Sequence, residues 1–86
     1  MQRVEIYTKS YCPYCKRAKE LLRIKGIAFT EYDVTDDPEK EKEMLKRSGR
    51  DTVPEIFVND RLIGGCSDLF DLDEKGELDR ILGLNS

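Results

Sequence analysis

The sequence predicts an α/β fold: a four-stranded mixed sheet flanked by helices, in the order βαβαββα with the last helix split. Three observations predict it. A strand-like run, Val4 to Thr8, is followed by a helical apolar stripe and then by a second strand-like run, Ala28 to Val34. Such a strand, helix and strand over roughly thirty residues form a right-handed parallel unit. Further on, Glu55 to Val58 and Arg61 to Ile63 are parted only by Asn59-Asp60, the spacing of a hairpin with a two-residue turn. Between the two halves, Asp36-Asp37-Pro38-Glu39 is a helix start signal. With 86 residues there is room for one core, so residues 1–86 are expected to form a single domain.

Each element has its own warrant. Val4-Glu5-Ile6-Tyr7-Thr8 alternates and is rich in strand formers. The first helix is expected from about Pro13 to Lys25, with Ala18, Leu21 and Leu22 as its apolar stripe and Gly26 as its stop. The second helix opens on an Asp cap, a proline and acidic residues in its first turn, and runs to about Arg47, with Gly49 just beyond. Met44 and Leu45 are its only large apolar residues, so it should lie on the surface with its charges solvated. Gly64-Gly65 ends the hairpin where backbone must turn tightly or approach something closely. A short helix then runs from about Ser67 to Glu74 on Leu69, Phe70 and Leu72. Gly76 separates it from a last one, where Leu78, Ile81 and Leu82 make an i, i+3, i+4 stripe.

Composition excludes several function classes. A net charge of −3 argues against a general nucleic-acid binder. Arg3 and Glu5 stand where a signal peptide needs an apolar core, and no stretch approaches the ~20 apolar residues of a membrane span. A cytoplasmic protein that binds neither nucleic acid nor membrane is expected. Histidine is absent, which removes Cys–His nucleophile pairs and imidazole acid–base catalysis. Three cysteines are too few for a secreted disulfide scaffold. They also cannot complete a four-ligand zinc site within the chain, so no metal site is expected.

The chemistry points instead to Ser10-Tyr11-Cys12-Pro13-Tyr14-Cys15. On a helix, a spacing of three puts both thiols on one face, within reach of a disulfide. Cys12 falls at the strand-to-helix junction, with Pro13 at the first helical position where its missing N–H costs nothing. A sulfur there meets unpaired N–H donors and the positive end of a helix dipole, which favour the thiolate that attacks disulfides. A CxxC beside a strand–helix–strand unit is the sign of a thioredoxin-like redox site.

Taken with two further motifs, the chain resembles a glutaredoxin. Cys12-Pro13-Tyr14-Cys15 matches that family's dithiol motif, Thr52-Val53-Pro54 its TVP loop, and Gly64-Gly65-Cys66-Ser67-Asp68 its GG-x-x-D glutathione-binding turn. The resemblance covers nearly the whole length. It departs from the family pattern at Glu55, where an uncharged or basic residue is more usual, and at Ser67, where many relatives carry an acid. The first departure should weaken attraction to an anionic peptide, and the second leaves Asp68 as the only nearby carboxylate.

The resemblance implies a thioredoxin-like fold and a glutathione-dependent thiol–disulfide oxidoreductase. Glutathione would be a co-substrate, no cofactor would be tightly bound, and the protein would work as a monomer on glutathionylated or disulfide-bonded proteins. Cys12 would be the nucleophile and Cys15, deeper in the helix, the resolving thiol. Lys9 would face a glutathione carboxylate, Tyr14 its peptide backbone, and Arg50 its glycyl carboxylate. Lys16, Arg17 and Lys19 would add a general positive field. Pro54 would be cis, turning the Val53 N–H and C=O toward an extended peptide. Gly65, Ser67 and Asp68 would hold the other end, backbone N–H groups taking the γ-glutamyl carboxylate and the Asp68 side chain its ammonium. Cys66 reads as a packed small hydrophobe, with a regulatory or glutathionylated thiol as the other reading. Two rival functions stand beside this one: a redoxin reduced by a flavoprotein reductase, and an iron–sulfur carrier ligating a cluster through Cys12 and glutathione. Cluster-binding relatives usually carry CGFS-like sequences, which Pro13 and the second thiol do not match.

Overall fold

The computed structural model describes residues 2–84 and contains β1 (Val4–Thr8), α1 (Pro13–Ile24), β2 (Thr30–Asp33), α2 (Pro38–Ser48), β3 (Glu55–Val58), β4 (Arg61–Gly64), α3 (Cys66–Glu74) and α4 (Glu77–Ile81). The expected order and the split last helix are both present. The strands form one sheet in the order β2-β1-β3-β4, in which β1 and β2 run parallel and the other neighbours antiparallel. The mixed sheet follows from the connections: a helix crossover joins β1 to β2, and a two-residue turn joins β3 to β4. In that turn Asn59 and Asp60 both have positive φ, 51° and 67°, as a hairpin of this length demands.

All five residues of β1 are buried, because helices cover the sheet on both faces. On one face Val4, Ile6, Ile56 and Val58 meet the apolar stripe of α1, made as expected by Ala18, Leu21 and Leu22, together with Leu69, Leu78 and Leu82. This is the larger core. At its edge Lys25 ties the end of α1 to both halves of the split helix, 2.7 Å from Asp73 and 2.5 Å from Asp79.

The other face differs from expectation. Of the two large apolar residues of α2, Met44 is fully buried against Tyr7, Val34 and Phe57, while Leu45 is exposed. One methionine is little to hold a helix, and the charges supply the rest. Arg47 donates to Tyr7 Oη at 2.8 Å and to Glu5 Oε1 at 3.1 Å, and its guanidinium lies 4.0 Å from the centre of the Phe57 ring. Tyr7 in turn donates to Glu43, and Tyr32 to Glu5 at 2.9 Å. The charge run of α2 is therefore partly docked, not wholly solvated. Burial alone would raise the Glu5 carboxyl, but the hydrogen bonds from Arg47 and Tyr32 outweigh it and hold the group below its ordinary range.

Element ends differ from expectation by small amounts. β2 is shorter than the run Ala28 to Val34 because its partner is short. With Glu5 opposite Thr30, Ala28 would fall opposite Arg3, before β1 begins. α1 ends at Ile24, with Lys25 capping it and Gly26 turning away at φ 70°. α2 opens on the expected cap, Asp37 accepting the Lys40 N–H at 3.1 Å.

The α2 network makes a testable prediction. Arg47→Met keeps the aliphatic stem but leaves Tyr7 without its cation and Glu5 with only the exposed Arg3 at 3.6 Å, which should cost about 2 kcal/mol at neutral pH. Glu5 has a depressed pKa in the folded state, so its stabilising contribution is present above the ordinary carboxyl range and lost as pH falls through the folded value. The gap between the two proteins in urea unfolding should accordingly narrow at about pH 3. An equal gap at both pH values would show that Arg47 acts by packing alone.

Candidate active site

Three chain junctions meet at one end of the sheet: β1 into α1, the loop into β3, and β4 into α3. Cys12 caps α1 with extended backbone, φ −90° and ψ 111°, and Pro13 takes the first helical position as expected. The Cys15 N–H, which has no acceptor within the helix, donates to Cys12 Sγ at 3.2 Å. The Cys12 thiol in turn donates to a carbonyl of the loop, Val53 O at 3.7 Å. The Val53–Pro54 bond is cis, as the resemblance implied.

The two thiols occupy different environments. Cys15 is 1% exposed, under the first turn of α1, and burial pushes its thiol up to about 12, with its hydrogen bond to Cys12 adding to the effect. Burial also pushes up Cys66, at the start of α3, against the pull of Arg17. All three cysteines are free thiols.

Beside Cys12 lies a cleft of 390 Å³, a size suited to a small ligand. One wall is the loop of Arg50, Thr52, Val53 and Pro54; the other is Gly65, Ser67 and Asp68 at the start of α3, with Tyr14 projecting from α1. Eight of the eleven expected site residues therefore line one cavity. The α3 wall is shaped by Asp68, whose carboxylate accepts the Gly65 N–H at 3.0 Å. Gly64 makes this possible: its φ is 124°, and a Cβ there would run into the Asp68 carboxylate. No side chain caps the free N–H groups of this helix start, so they remain available to an anion.

Cys12 touches the cleft wall at the Val53 carbonyl, Cys15 is buried behind it, and Lys9 does not line the cleft. Lys9 Nζ is 3.3 Å from Glu41 on α2, and that carboxylate holds the lysine pKa above its usual value. Two cleft residues lay outside the expected set. Cys66 lines the wall while packing into the main core. Glu55 lies at the base of the cleft, so Asp68 is not the only nearby carboxylate; the expectation is corrected on that point. Its place directly after Pro54 was the available signal. Among the described residues no cluster of three or more potential metal ligands occurs, and no helix is long and apolar enough to cross a membrane.

Comparison with known proteins gives a consistent picture. Residues 4–63 match the family model described as Glutaredoxin. The chain is 55% identical over 82 residues to Glutaredoxin 3 of Escherichia coli K12, covering 95% of this chain and 99% of that protein. Among solved structures, a buckwheat glutaredoxin–glutathione complex superposes with a TM-score of 0.86 at 26% identity, covering 96% of this chain and 78% of that one. The solution structure of glutaredoxin from Brucella melitensis gives 0.83 at 48% identity, covering 98% and 91%.

The contrast between the thiols is open to direct measurement. At about pH 7.5 both Cys15 and Cys66 are held in the thiol form, which does not attack alkylating agents. Iodoacetamide under native reducing conditions should therefore label Cys12 and spare the other two, as read by peptide mass mapping. Comparable labelling of Cys15 would contradict its burial.

Proposed function

The chain belongs to the glutaredoxin family, and from that premise we propose how its cleft performs the family's reaction. The activity is that of a glutathione-dependent thiol–disulfide oxidoreductase, with glutathione as co-substrate. The observation that carries the residue-level reading is the cleft beside Cys12, which offers free helix N–H groups and Asp68 on one wall and Arg50 on the facing wall.

Glutathione lies along this cleft with its cysteinyl sulfur toward Cys12. The N–H groups at the start of α3, Ser67 among them, take the γ-glutamyl carboxylate, and Asp68 takes the ammonium. Gly65 leaves the approach open. Thr52, Val53 and Pro54 run beside the peptide, where the Val53 backbone pairs with it as an added strand. Tyr14 covers its backbone, and Arg50 meets the glycyl carboxylate. Lys9 adds positive charge from outside the cleft, shared with Glu41.

On a glutathionylated protein, the Cys12 thiolate attacks the glutathione sulfur. A Cys12–glutathione disulfide forms as the bond to the protein sulfur breaks, and the protein leaves as its thiolate. A second glutathione thiolate then attacks that disulfide, giving oxidised glutathione and free Cys12. On a protein disulfide, Cys12 forms a mixed disulfide with one protein sulfur and the other leaves as thiolate. Cys15 loses its proton and displaces the protein, closing a Cys12–Cys15 bridge that two glutathiones reduce. Holding the sulfurs in line supplies much of the acceleration. The protein acts as a single cytoplasmic domain, 1–86, in monomeric form. Neither the flavoprotein-reduced redoxin nor the iron–sulfur carrier is favoured by the family match or by Pro13.

Two sets of variants test this reading. Removing glutathione from a mixed disulfide needs only Cys12, whereas breaking a protein disulfide also needs a neighbour at high effective concentration. Cys15→Ser should keep turnover on a small glutathione mixed disulfide and lose most reduction of a disulfide-bonded protein. Cys12→Ser should lose both, and Cys66→Ser neither. An inactive but folded Cys15→Ser on the small substrate would refute Cys12 as sole attacking group.

Asp68→Asn keeps an acceptor for the Gly65 N–H but removes the charge that would meet the ammonium. The Michaelis constant for glutathione mixed disulfides should rise about tenfold, the worth of one charge-assisted hydrogen bond, with kcat little changed. An unchanged Michaelis constant would remove the ammonium contact from the scheme.

A further inference from the structure

Glu55 opens β3 directly after Pro54 and is 1% exposed. Its Oε2 accepts the Thr52 hydroxyl at 3.0 Å, but its buried Oε1 has no hydrogen-bond partner. The nearest cation to that oxygen is Arg50, whose Nη1 is 3.9 Å away, beyond hydrogen-bonding distance but within ion-pair range. The same nitrogen stands 3.7 Å from Asp68 Oδ2. One half-exposed guanidinium thus lies between two carboxylates, one on each wall of the cleft. A carboxylate oxygen left unpaired in the interior is expensive, and glutamine would fill this place with a donor in hand.

We infer that Glu55 is a positioning residue that sets how firmly the cleft holds an anionic ligand end, acting through Arg50. Ionised, it draws the guanidinium inward and shares its charge, so that a ligand carboxylate finds a weaker partner. Protonated, it releases Arg50 to the ligand. This deepens the glutathione reading above and rests on it, since the ligand end concerned is the carboxylate assigned to Arg50. It makes the cleft more selective for ligands that bring a donor or no charge to that end when Glu55 is ionised.

The consequence has a direction in pH. The groups facing Glu55 are Arg50 and Thr52 from its own loop, Asp68 from α3, and Tyr7 opposite it on β1. Burial raises the Glu55 carboxyl above its ordinary range, Asp68 adds to this, and Thr52 and Arg50 pull the other way. Affinity for an anionic ligand should therefore be higher at low pH and fall as Glu55 loses its proton. The carboxylates of the ligand are common to wild type and to a Glu55 variant, so the comparison between the two isolates Glu55.

The test is calorimetric binding of S-methylglutathione, a thioether that cannot exchange with Cys12, from about pH 5 to about pH 8. The proteins are wild type, Glu55→Gln, Arg50→Gln and the double variant. At the upper pH, Glu55→Gln should bind about fivefold tighter than wild type, the scale of one partly exposed ion pair released to the ligand. That advantage should narrow toward the lower pH, as wild-type Glu55 gains its proton. In the Arg50→Gln background, Glu55→Gln should change affinity less than about twofold, because the residue through which Glu55 acts is gone. Equal or weaker binding by Glu55→Gln at every pH would overturn the inference while leaving the glutathione reading intact. So would an advantage that does not vary with pH, or one that survives without Arg50. Should Glu55→Gln fold poorly, a weaker pH dependence in Arg50→Gln than in wild type carries the test, and an undiminished dependence there overturns the inference. Failure of wild type and all variants to bind would instead refute the glutathione reading itself, and the inference with it.

Discussion

The antiparallel pairing of β3 with β1 on one side and β4 on the other is the constraint on which this site depends. Antiparallel neighbours bring the end of one strand beside the start of the next. Tyr7, near the end of β1, lies opposite Glu55 at the start of β3, and Ile56 lies opposite Gly64 at the end of β4. The three segments that leave the sheet there are the Cys12 turn, the Thr52 to Pro54 loop and the Gly64-Gly65 turn. None of them is near another in sequence. A one-residue slip in β3 would turn Ile56 out of the main core and carry the Val53 carbonyl away from Cys12 Sγ. The burial of Ile56 and Val58 on one face and Phe57 on the other forbids that slip, so the packing of the core fixes the geometry of the site.

The two faces of the sheet do this work in different ways. Below α1, α3 and α4 the contact is apolar and continuous, and it holds both helices whose first turns border the cleft. Under α2 it is one methionine and a cation shared among Glu5, Tyr7 and the Phe57 ring. Apolar packing tolerates small displacements, whereas a guanidinium fork fixes its partners in angle as well as distance. Tyr7 is held from both directions, by Phe57 and Tyr32 in the core and by Arg47 and Glu43 at its hydroxyl. That residue is opposite Glu55, so the polar network under α2 reaches to within one strand of the cleft floor.

Local signals in the chain were enough for most of the architecture. The Asp37 cap, the Asn59-Asp60 turn, the Gly26 and Gly49 stops and the Pro13 helix start each act over a few residues, and each is found where its chemistry puts it. Eight of the expected site residues were legible because their three motifs are local, although strand pairing is what brings those motifs to one cleft. What escaped the sequence depends on distant partners. The docking of α2 rests on Arg47 finding Glu5, forty-two positions away. Hydrophobic periodicity carries no trace of such a pair. The pairing of Lys9 with Glu41 joins residues thirty-two positions apart, and the depth of Glu55 follows from strand pairing that β3 alone does not reveal.

The division between thiols and cleft bears on substrate range. Cys12 meets the cavity at the Val53 carbonyl and Cys15 is buried under the first turn of α1, while the cavity walls belong to backbone, to Asp68 and to Arg50. A cavity of 390 Å³ accommodates a small peptide and leaves whatever is attached to its sulfur outside. Outside, the surface offers Tyr11, 71% exposed, and Tyr14, 58% exposed, on either side of Cys12. Tyr11 is a bare surface ring and Tyr14 stands at the rim of the cleft, so together they provide contact area with little directional demand. In the proposed scheme recognition rests on the small peptide, and attack on its sulfur would release the attached protein whatever its sequence. Cys15 is the deeper of the two thiols, 1% exposed against 8% for Cys12, so in that scheme it acts on disulfides already formed at Cys12. Breadth of substrate would then come from the shape of the cleft, and the order of the two thiol steps from which thiol lies deeper.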